Sequence, residues 1–159
     1  MSIVSDIEKL KKEKNAVILA HYYVDEDVQD IADYIGDSFY LSKVATKVDQ
    51  DRIIFAGVEF MGESAKILNP DKRVFMPDMN ADCPMAHMAD KEEILKLREE
   101  YDDLAVVCYI NSTAELKKYS DVCVTSSNAV KIVKNLPNKN IFFIPDRNLG
   151  HFCGKAMSG

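Results

Sequence analysis

The sequence lacks several patterns that would each define a class of protein. No two cysteines are spaced as Cys-x-x-Cys, which excludes a zinc ribbon and a thioredoxin-type redox motif. No apolar run approaches the roughly 20 residues that a membrane-spanning helix needs, and no Gly-x-Gly-x-x-Gly or Walker loop marks a nucleotide site. Lysine and arginine together number 20, against 26 aspartates and glutamates. We therefore expect neither nucleic acid nor a membrane among the partners of this protein.

The N-terminal segment also lacks the apolar block of a signal peptide. Residues 1–15 show helical periodicity with interspersed charges instead. Of the 159 residues, 47% are hydrophobic and 29% are charged, which are ordinary globular values and exclude intrinsic disorder. A chain of this length can bury roughly 70% of its unfolded surface. We expect a folded, cytoplasmic protein of one or two domains.

Short apolar runs alternate with helical patterns along the whole chain. The runs are continuous, as is typical of parallel strands that are buried on both faces. They lie at 16–20, 53–56, 74–76, 104–108, 122–124 and 141–144. Two helix faces have apolar residues at i, i+3, i+4 and i+7: Val28, Ile31, Ala32 and Ile35, and Ala129, Ile132, Val133 and Leu136. The alternation predicts an α/β protein with parallel sheets and right-handed crossovers.

The two halves of the sequence match each other at a fixed offset of 88 residues. Residues 17–21 align with residues 105–109, and residues 53–55 align with residues 141–143. The same offset also pairs polar positions, namely Ser38 with Ser126 and Asp33 with Asp121. The period exceeds that of solenoid repeats, so we interpret it as a duplicated α/β domain. We place the first repeat at 1–88 and the second at 89–159, where it is incomplete.

The four cysteines lie in different surroundings. Cys108 and Cys123 are inside apolar runs, and we predict that both are small buried hydrophobic residues. Cys83 lies in a polar, methionine-rich loop and precedes Pro84. Cys-Pro occurs in iron–sulfur ligand loops, but the dipeptide alone leaves open whether Cys83 is a ligand. Cys153 has no partner in the sequence, and a disulfide framework is not expected in a cytosolic chain.

Ligands of parallel α/β sheets bind beyond the carboxyl ends of the strands. His21 lies at such an end, where it could donate to a carboxylate or act as an acid or base, or be satisfied within the fold. Ser38 and Ser126 each precede a helical pattern, and we predict that both are N-caps. Two helix N-termini near one cleft would suit a small dicarboxylate, although each serine could simply cap its helix.

Long blocks of the chain resemble the quinolinate synthase family. They cover residues 20–23, 36–38, 55–66, 77–86, 107–115, 125–129 and 145–150. The similarity runs from about residue 15 to residue 152, and the blocks occur in the family's order. This makes the resemblance highly specific.

The resemblance implies a transferase of NAD biosynthesis, a pyridine nucleotide pathway. Such enzymes condense iminosuccinate with dihydroxyacetone phosphate to quinolinate. They have three α/β domains, each a three-layer αβα sandwich with a parallel sheet, arranged by pseudo-threefold symmetry around a central site. A [4Fe–4S] cluster is held there by one cysteine from each domain, which leaves one iron free to act as a Lewis acid.

The resemblance also assigns roles to residues of this chain. It implies that Cys83 is the cluster ligand of the first domain and that His21, Tyr23 and Tyr109 are catalytic. The residues implied to bind the dicarboxylate substrate are His21, Ser38, Tyr109, Ile110, Asn111 and Ser126. Several of them are the strand-end and helix-start positions that the apolar pattern indicates without the family.

The chain holds two of the family's three repeats, and the family carries further cluster cysteines in its second and third domains. We therefore expect the cluster to be absent or incomplete in this chain and the chain to be inactive alone. A second chain could supply the missing cysteines. The alternatives are a non-catalytic dicarboxylate-binding α/β module and a fragment that self-associates.

Overall fold

The computed structural model describes residues 2–157. They form two compact units, one ending at Asp82 and one beginning at Cys83. The division falls inside the loop that the sequence analysis places in the repeat 1–88. No helix between Ser2 and Met157 is both long enough and apolar enough to cross a bilayer.

The first unit is a four-stranded parallel sheet with four helices. Its strands are β1 (Ala16–His21), β2 (Tyr34–Gly36), β3 (Arg52–Ala56) and β4 (Arg73–Phe75). Its helices are α1 (Ile3–Glu13), α2 (Glu26–Asp30), α3 (Ser38–Ala45) and α4 (Glu59–Leu68). The strand order is β2-β1-β3-β4, and every neighbouring pair is parallel.

The second unit begins with a 3-10 turn at Pro84–His87 and has a three-stranded parallel sheet. Its strands are β5 (Leu104–Tyr109), β6 (Val122–Val124) and β7 (Asn140–Ile144), in the order β6-β5-β7. Its helices are α5 (Lys91–Glu100), α6 (Ala114–Lys118), α7 (Ala129–Lys134) and α8 (Arg147–Met157).

The central strand β5 shows why its sequence is a continuous apolar run. Alternate residues of a strand point to opposite faces of the sheet. Val106 and Cys108 pack with Ile94 of α5 and Leu116 of α6. Val107 packs on the other face, in a cluster completed by Val124, Ala129, Val133 and Cys153. Because helices cover both faces, the unit is a three-layer αβα sandwich, and the predicted fold class is confirmed.

The predicted repeat is visible in the structure at the same offset. Strands β1, β2 and β3 shifted by 88 residues give the bounds of β5, β6 and β7, and α2 shifted in the same way gives α6. In both units the first strand of the repeat is flanked by the second and third. Strand β4 has no counterpart among the described residues of the second unit.

Three details of the predicted pattern are wrong. Helix α2 ends at Asp30, so Ile31 and Ala32 of its predicted apolar face lie beyond it and Ile35 lies in β2. Leu136, which we assigned to the face of α7, lies beyond the last residue of that helix, Lys134. Strand β2 has only two apolar residues, Tyr34 and Ile35, before Gly36, so it leaves no apolar run in the sequence. Cys123 is also exposed rather than buried, because β6 is the edge strand of its sheet.

Candidate functional site

His21 is the last residue of β1 and is only 5% exposed. Its Nδ1 accepts a hydrogen bond of 3.2 Å from the backbone N–H of Tyr23. The proton of the neutral ring is therefore on Nε2, which is a donor. Burial lowers the pKa of His21, and the negative charge of Asp37 opposes this only in part. The result is a neutral imidazole that offers an N–H to a ligand.

Three rings are packed together at this strand end. The centroid of the His21 ring lies 4.6 Å from that of Tyr22 and 4.7 Å from that of Tyr23. The two tyrosine rings meet edge to face with their centroids 4.8 Å apart, a geometry that aromatic pairs prefer. Tyr23 is nevertheless 83% exposed. The Tyr23 ring therefore contacts both neighbouring rings and remains accessible.

A cavity of about 320 Å³ opens beyond the carboxyl ends of β1 and β3. It is lined by Tyr23 and Gly57, among others, and by the two carboxylates Asp25 and Asp78. The strand-end location agrees with the expectation from parallel sheets. His21 and Ser38 are not among the lining residues, so the cavity gathers only one of the predicted site residues.

The start of α3 corrects the predicted role of Ser38. Asp37 is the N-cap, and its Oδ1 accepts a 2.7 Å hydrogen bond from the backbone N–H of Tyr40. Ser38 is the first residue of the helix and is half-buried. Asp and Ser are about equally favoured as caps, and here the aspartate has the extended backbone that a cap requires. Ser38 still belongs to the first turn, whose N–H groups lack partners within the helix.

In the second unit, a tight loop follows β5. The N–H of Ile110 donates to the Val124 carbonyl at 2.8 Å, and the N–H of Ser112 donates to the Ile110 carbonyl at 2.9 Å. The Ser112 hydroxyl is completely buried and donates to the Tyr109 carbonyl at 2.9 Å. Tyr109 and Asn111 are half-exposed. These bonds hold two predicted site residues at the carboxyl end of β5.

The region of Ser126 also differs from the prediction. Helix α7 begins only at Ala129, after a turn at 126–128, so Ser126 is not an N-cap. Asn128 Oδ1 accepts a 2.7 Å hydrogen bond from the Thr125 N–H, and the hydroxyls of Thr125 and Ser127 are 2.9 Å apart. These side-chain bonds close a turn where helical bonds were expected. Ser126 is exposed on this turn.

No individual role was predicted for three polar residues that shape these ends. Asp37 lies beside His21, Ser112 is buried in the β5 loop, and Thr125 begins the turn before α7. Asp37 and Thr125 are equivalent at the offset of 88, and each carbonyl accepts from the N–H four residues later at 3.0 Å. Asp37 and Thr125 directly precede Ser38 and Ser126 in the sequence. Applying the offset of 88 to these preceding positions would therefore have identified two of the three residues.

Cys83 is half-buried and precedes the 3-10 turn, where its carbonyl accepts from the Ala86 N–H at 2.9 Å. A half-buried thiol at a loop can supply one thiolate ligand to iron. Across residues 2–157, no three histidine, cysteine, aspartate or glutamate side chains are grouped so that they could hold a metal ion. The donor set described here therefore fits one cluster ligand and not a whole cluster site.

The two parallel α/β units, with polar groups at the carboxyl ends of their strands, belong to the class of folds in which ligands commonly bind at that edge. A family model described as "NadA: Quinolinate synthetase A protein" matches residues 5–159. The chain belongs to this family, and the predicted resemblance is confirmed.

Relatives from distant organisms agree with this assignment. The chain is 66% identical over 151 residues to the quinolinate synthase of Fusobacterium nucleatum, covering 95% of this chain and 51% of that protein. It is 55% identical over 155 residues to that of Caldicellulosiruptor saccharolyticus, covering 98% and 51%. It is 57% identical over 159 residues to that of Pyrococcus abyssi, covering 100% and 53%. The chain thus spans about half the length of the curated relatives it matches. The roles of the individual site residues stay predictions.

Proposed function

We propose that this chain carries the substrate-binding strand ends and one cluster ligand of a cytoplasmic quinolinate synthase. The reaction is the transferase step that condenses iminosuccinate with dihydroxyacetone phosphate. The observation that carries the proposal is the 66% identity, over 95% of the chain, to a protein named quinolinate synthase. The geometry of each unit by itself supports the assignment of binding groups.

The first unit offers donors for a carboxylate. His21 presents a neutral ring with its proton on Nε2, and Ser38 lies in the first turn of α3, with a hydroxyl and backbone N–H groups. A helix N-terminus favours an anion. Asp37 caps the same helix through Oδ1, which orients its carboxylate toward the backbone of Tyr40. The dicarboxylate substrate therefore meets donors here.

The second unit offers a comparable set. Tyr109, Asn111 and Ser126 bring a phenol, an amide and a hydroxyl to strand or turn ends, and all three are at least partly exposed. Both backbone groups of Ile110 are already bonded, to Val124 and Ser112. Ile110 consequently contributes by holding Tyr109 and Asn111 in position, and the other side chains contact the substrate.

Three residues take part in the chemistry. His21 donates through Nε2 to a substrate oxygen, and its lowered pKa keeps the ring neutral so that it does not form a fixed ion pair with the substrate. Tyr23 and Tyr109 position the substrate through their hydroxyls. Cys83 would supply one thiolate ligand to a [4Fe–4S] cluster, with other thiolates completing the set, and such a cluster would supply Lewis-acid chemistry toward a substrate oxygen.

Self-association is a second candidate, favoured by one feature of the first unit. A cavity of about 490 Å³ between α1 and the sheet is lined almost entirely by apolar groups, including Ile7, Leu10, Ile54 and Phe75. Helix α1 has no buried residue. A second copy of the chain would cover such a surface. Light scattering that gives the mass of a monomer at all concentrations would remove this candidate.

Calorimetric titration of the chain with quinolinate tests the binding proposal. Quinolinate has two adjacent carboxylates, and nicotinate serves as the monocarboxylate control. We expect heat of binding with quinolinate, weaker binding to nicotinate, and a loss of at least tenfold in affinity for His21→Gln. His151→Gln is the matched control, because His151 is an exposed histidine of α8. Equal affinity of His21→Gln and wild type would overturn the proposed role of His21.

A further inference from the structure

Cys108 and Cys123 are neighbours across two strands. They are Cα partners in the parallel pairing of β5 with β6. Adjacent strands lie about 4.8 Å apart, and partners in register point to the same face of the sheet. Disulfides form between residues whose Cα atoms are about 4.4–6.8 Å apart. The Cα separation of the two residues therefore falls in the range that disulfides span.

The two thiols differ in access to solvent. Cys108 is completely buried in the central strand of the sheet. Cys123 is exposed, because β6 is an edge strand. Cys123 is therefore the more accessible of the two residues to an external reagent.

The surroundings of the buried thiol stabilise a thiolate. A hydrogen bond from the Cys123 thiol lowers the pKa of Cys108 to about 6, against the opposing effect of burial. Ser112, whose Oγ lies 2.8 Å from the Cys108 Sγ, and the charge of Lys117 lower it further. The same hydrogen bond raises the pKa of Cys123. This hydrogen bond therefore favours the thiolate form of Cys108 and the protonated form of Cys123.

We infer that Cys108 and Cys123 form a redox modification site, which a low-molecular-weight disulfide such as oxidised glutathione converts reversibly to an intrachain disulfide. This inference does not depend on the proposed function. Cys123 is the attacking residue, and Cys108 is the resolving residue. The other two cysteines do not share this arrangement, since Cys83 lies in a loop and Cys153 is packed in the core of the second unit on α8.

The exchange balances in two steps. As the Cys123 sulfur attacks one sulfur of the glutathione disulfide, its proton passes to the adjacent Cys108 sulfur, which acts as the base, and one glutathione thiolate is released. Cys108 then gives its proton to that thiolate and attacks the Cys123 sulfur of the mixed disulfide, which releases the second glutathione thiolate. The two protein thiols are oxidised, and one glutathione disulfide is reduced to two glutathione molecules, the second of which takes its proton from solvent.

Oxidation has a local consequence for the loop after β5. The Cys108 Sγ contacts the Ser112 hydroxyl, which also donates to the Tyr109 carbonyl. A disulfide removes the thiolate and its negative charge from this contact. We therefore expect oxidation to alter the backbone signals of Tyr109 and Ser112 and to leave those of the first unit unchanged.

The test is incubation of the whole chain with oxidised glutathione, followed by alkylation with N-ethylmaleimide in denaturant, so that buried thiols such as Cys153 react, and intact mass spectrometry. Wild type should lose two hydrogens, keep no lasting glutathione, and take up two maleimides, not four. Cys108→Ser should instead hold one glutathione on Cys123, and Cys123→Ser should form neither adduct nor disulfide. Cys83→Ser is the matched control and should oxidise as wild type does.

Peptide mapping of oxidised wild type keeps the inference testable even where a variant fails to fold. A cross-linked peptide pair that contains Cys108 and Cys123 supports it. A lasting glutathione adduct on Cys123 of wild type, four reactive thiols after oxidation, or a disulfide that includes Cys83 would overturn it.

Discussion

Asp33 and Asp121 make the same contact in the two units. Oδ2 of Asp33 accepts a 2.8 Å hydrogen bond from the N–H of Ile18, and Oδ2 of Asp121 accepts one of 2.7 Å from the N–H of Val106. Both aspartates stand directly before the second strand of their repeat and bind the middle of the first strand. Each carboxylate also pairs at 2.8 Å with a cation of the helix before the first strand of its repeat, Lys11 of α1 or Arg98 of α5. The aspartates that the offset of 88 pairs therefore share a contact within the fold, and not a contact with a ligand.

Asp33→Ala should destabilise the first unit. It leaves the N–H of the buried Ile18 without its acceptor, at a cost of about 1–3 kcal/mol. Asp33→Asn should cost less, since its amide oxygen can still accept. Urea unfolding followed by circular dichroism measures both. Asp49→Asn, at an exposed carboxylate, is the control, and equal effects of Asp33→Ala and Asp49→Asn would contradict the contact's role.

Two glycines of α8 should respond oppositely to alanine. A Cβ on Gly150 would lie 3.0 Å from the Cβ of Phe143 and 3.1 Å from its Cγ, so it would press on β7. A Cβ on Gly154 would meet nothing within 4 Å. We expect Gly154→Ala to raise the free energy of unfolding by up to about 1 kcal/mol through helix propensity. Gly150→Ala should lower it, and the same sign for both in thermal unfolding would be inconsistent with this packing.

His21 should titrate below its ordinary pKa of 6.5, because burial disfavours the charged ring. The folded state then binds fewer protons than the unfolded state, so this residue makes stability fall as the pH drops below about 6.5. A proton NMR titration, with the His21 signal assigned by its loss in His21→Gln, gives the midpoint. The stability difference between wild type and His21→Gln should shrink or reverse at low pH. A midpoint at or above 6.5 would contradict the account.

Asp37 links the cap of α3 to the charge near His21. Asp37→Asn keeps a good N-cap and removes the negative charge, so it should lower the pKa of His21 further and change stability little. Asp37→Ala should lower that pKa equally and also cost about 0.5–2 kcal/mol through loss of the cap. The NMR midpoint and urea unfolding separate these effects. An unchanged midpoint in both variants would show that Asp37 does not act on His21.

The predictable part of the fold is the part with a strong apolar signal. Six of the seven strands among the described residues coincide with apolar runs in the sequence, and β5, the central strand of its sheet, is buried on both faces. Strand β2 was missed because it has only two apolar residues before Gly36 and because Ile35 also fits the helical spacing that precedes it, yet β6 at the offset of 88 indicates where it lies. The repeat thus indicates the position of β2, which the local apolar periodicity does not.

The site was predictable in position more than in detail. His21 and Tyr109 do end their strands, as parallel topology requires. Asp37, and not Ser38, caps α3. At Ser126, where a helix cap was expected, a hydrogen bond to the Asn128 side chain closes a turn instead. Aspartate and serine are about equally good caps, so only backbone conformation decides between neighbours, and the sequence does not contain it.

The most direct test of the proposed function is quinolinate formation by a hybrid enzyme. In it this chain replaces the matching half of the Fusobacterium nucleatum quinolinate synthase, of which it covers 51%. After anaerobic reconstitution with iron and sulfide, we predict quinolinate formation from iminosuccinate and dihydroxyacetone phosphate. Cys83→Ser should abolish both the brown absorbance and the activity, and Cys123→Ser, at an exposed cysteine, should retain both. A folded hybrid that holds its cluster but makes no quinolinate, or a Cys83→Ser hybrid that remains brown and active, would contradict the account.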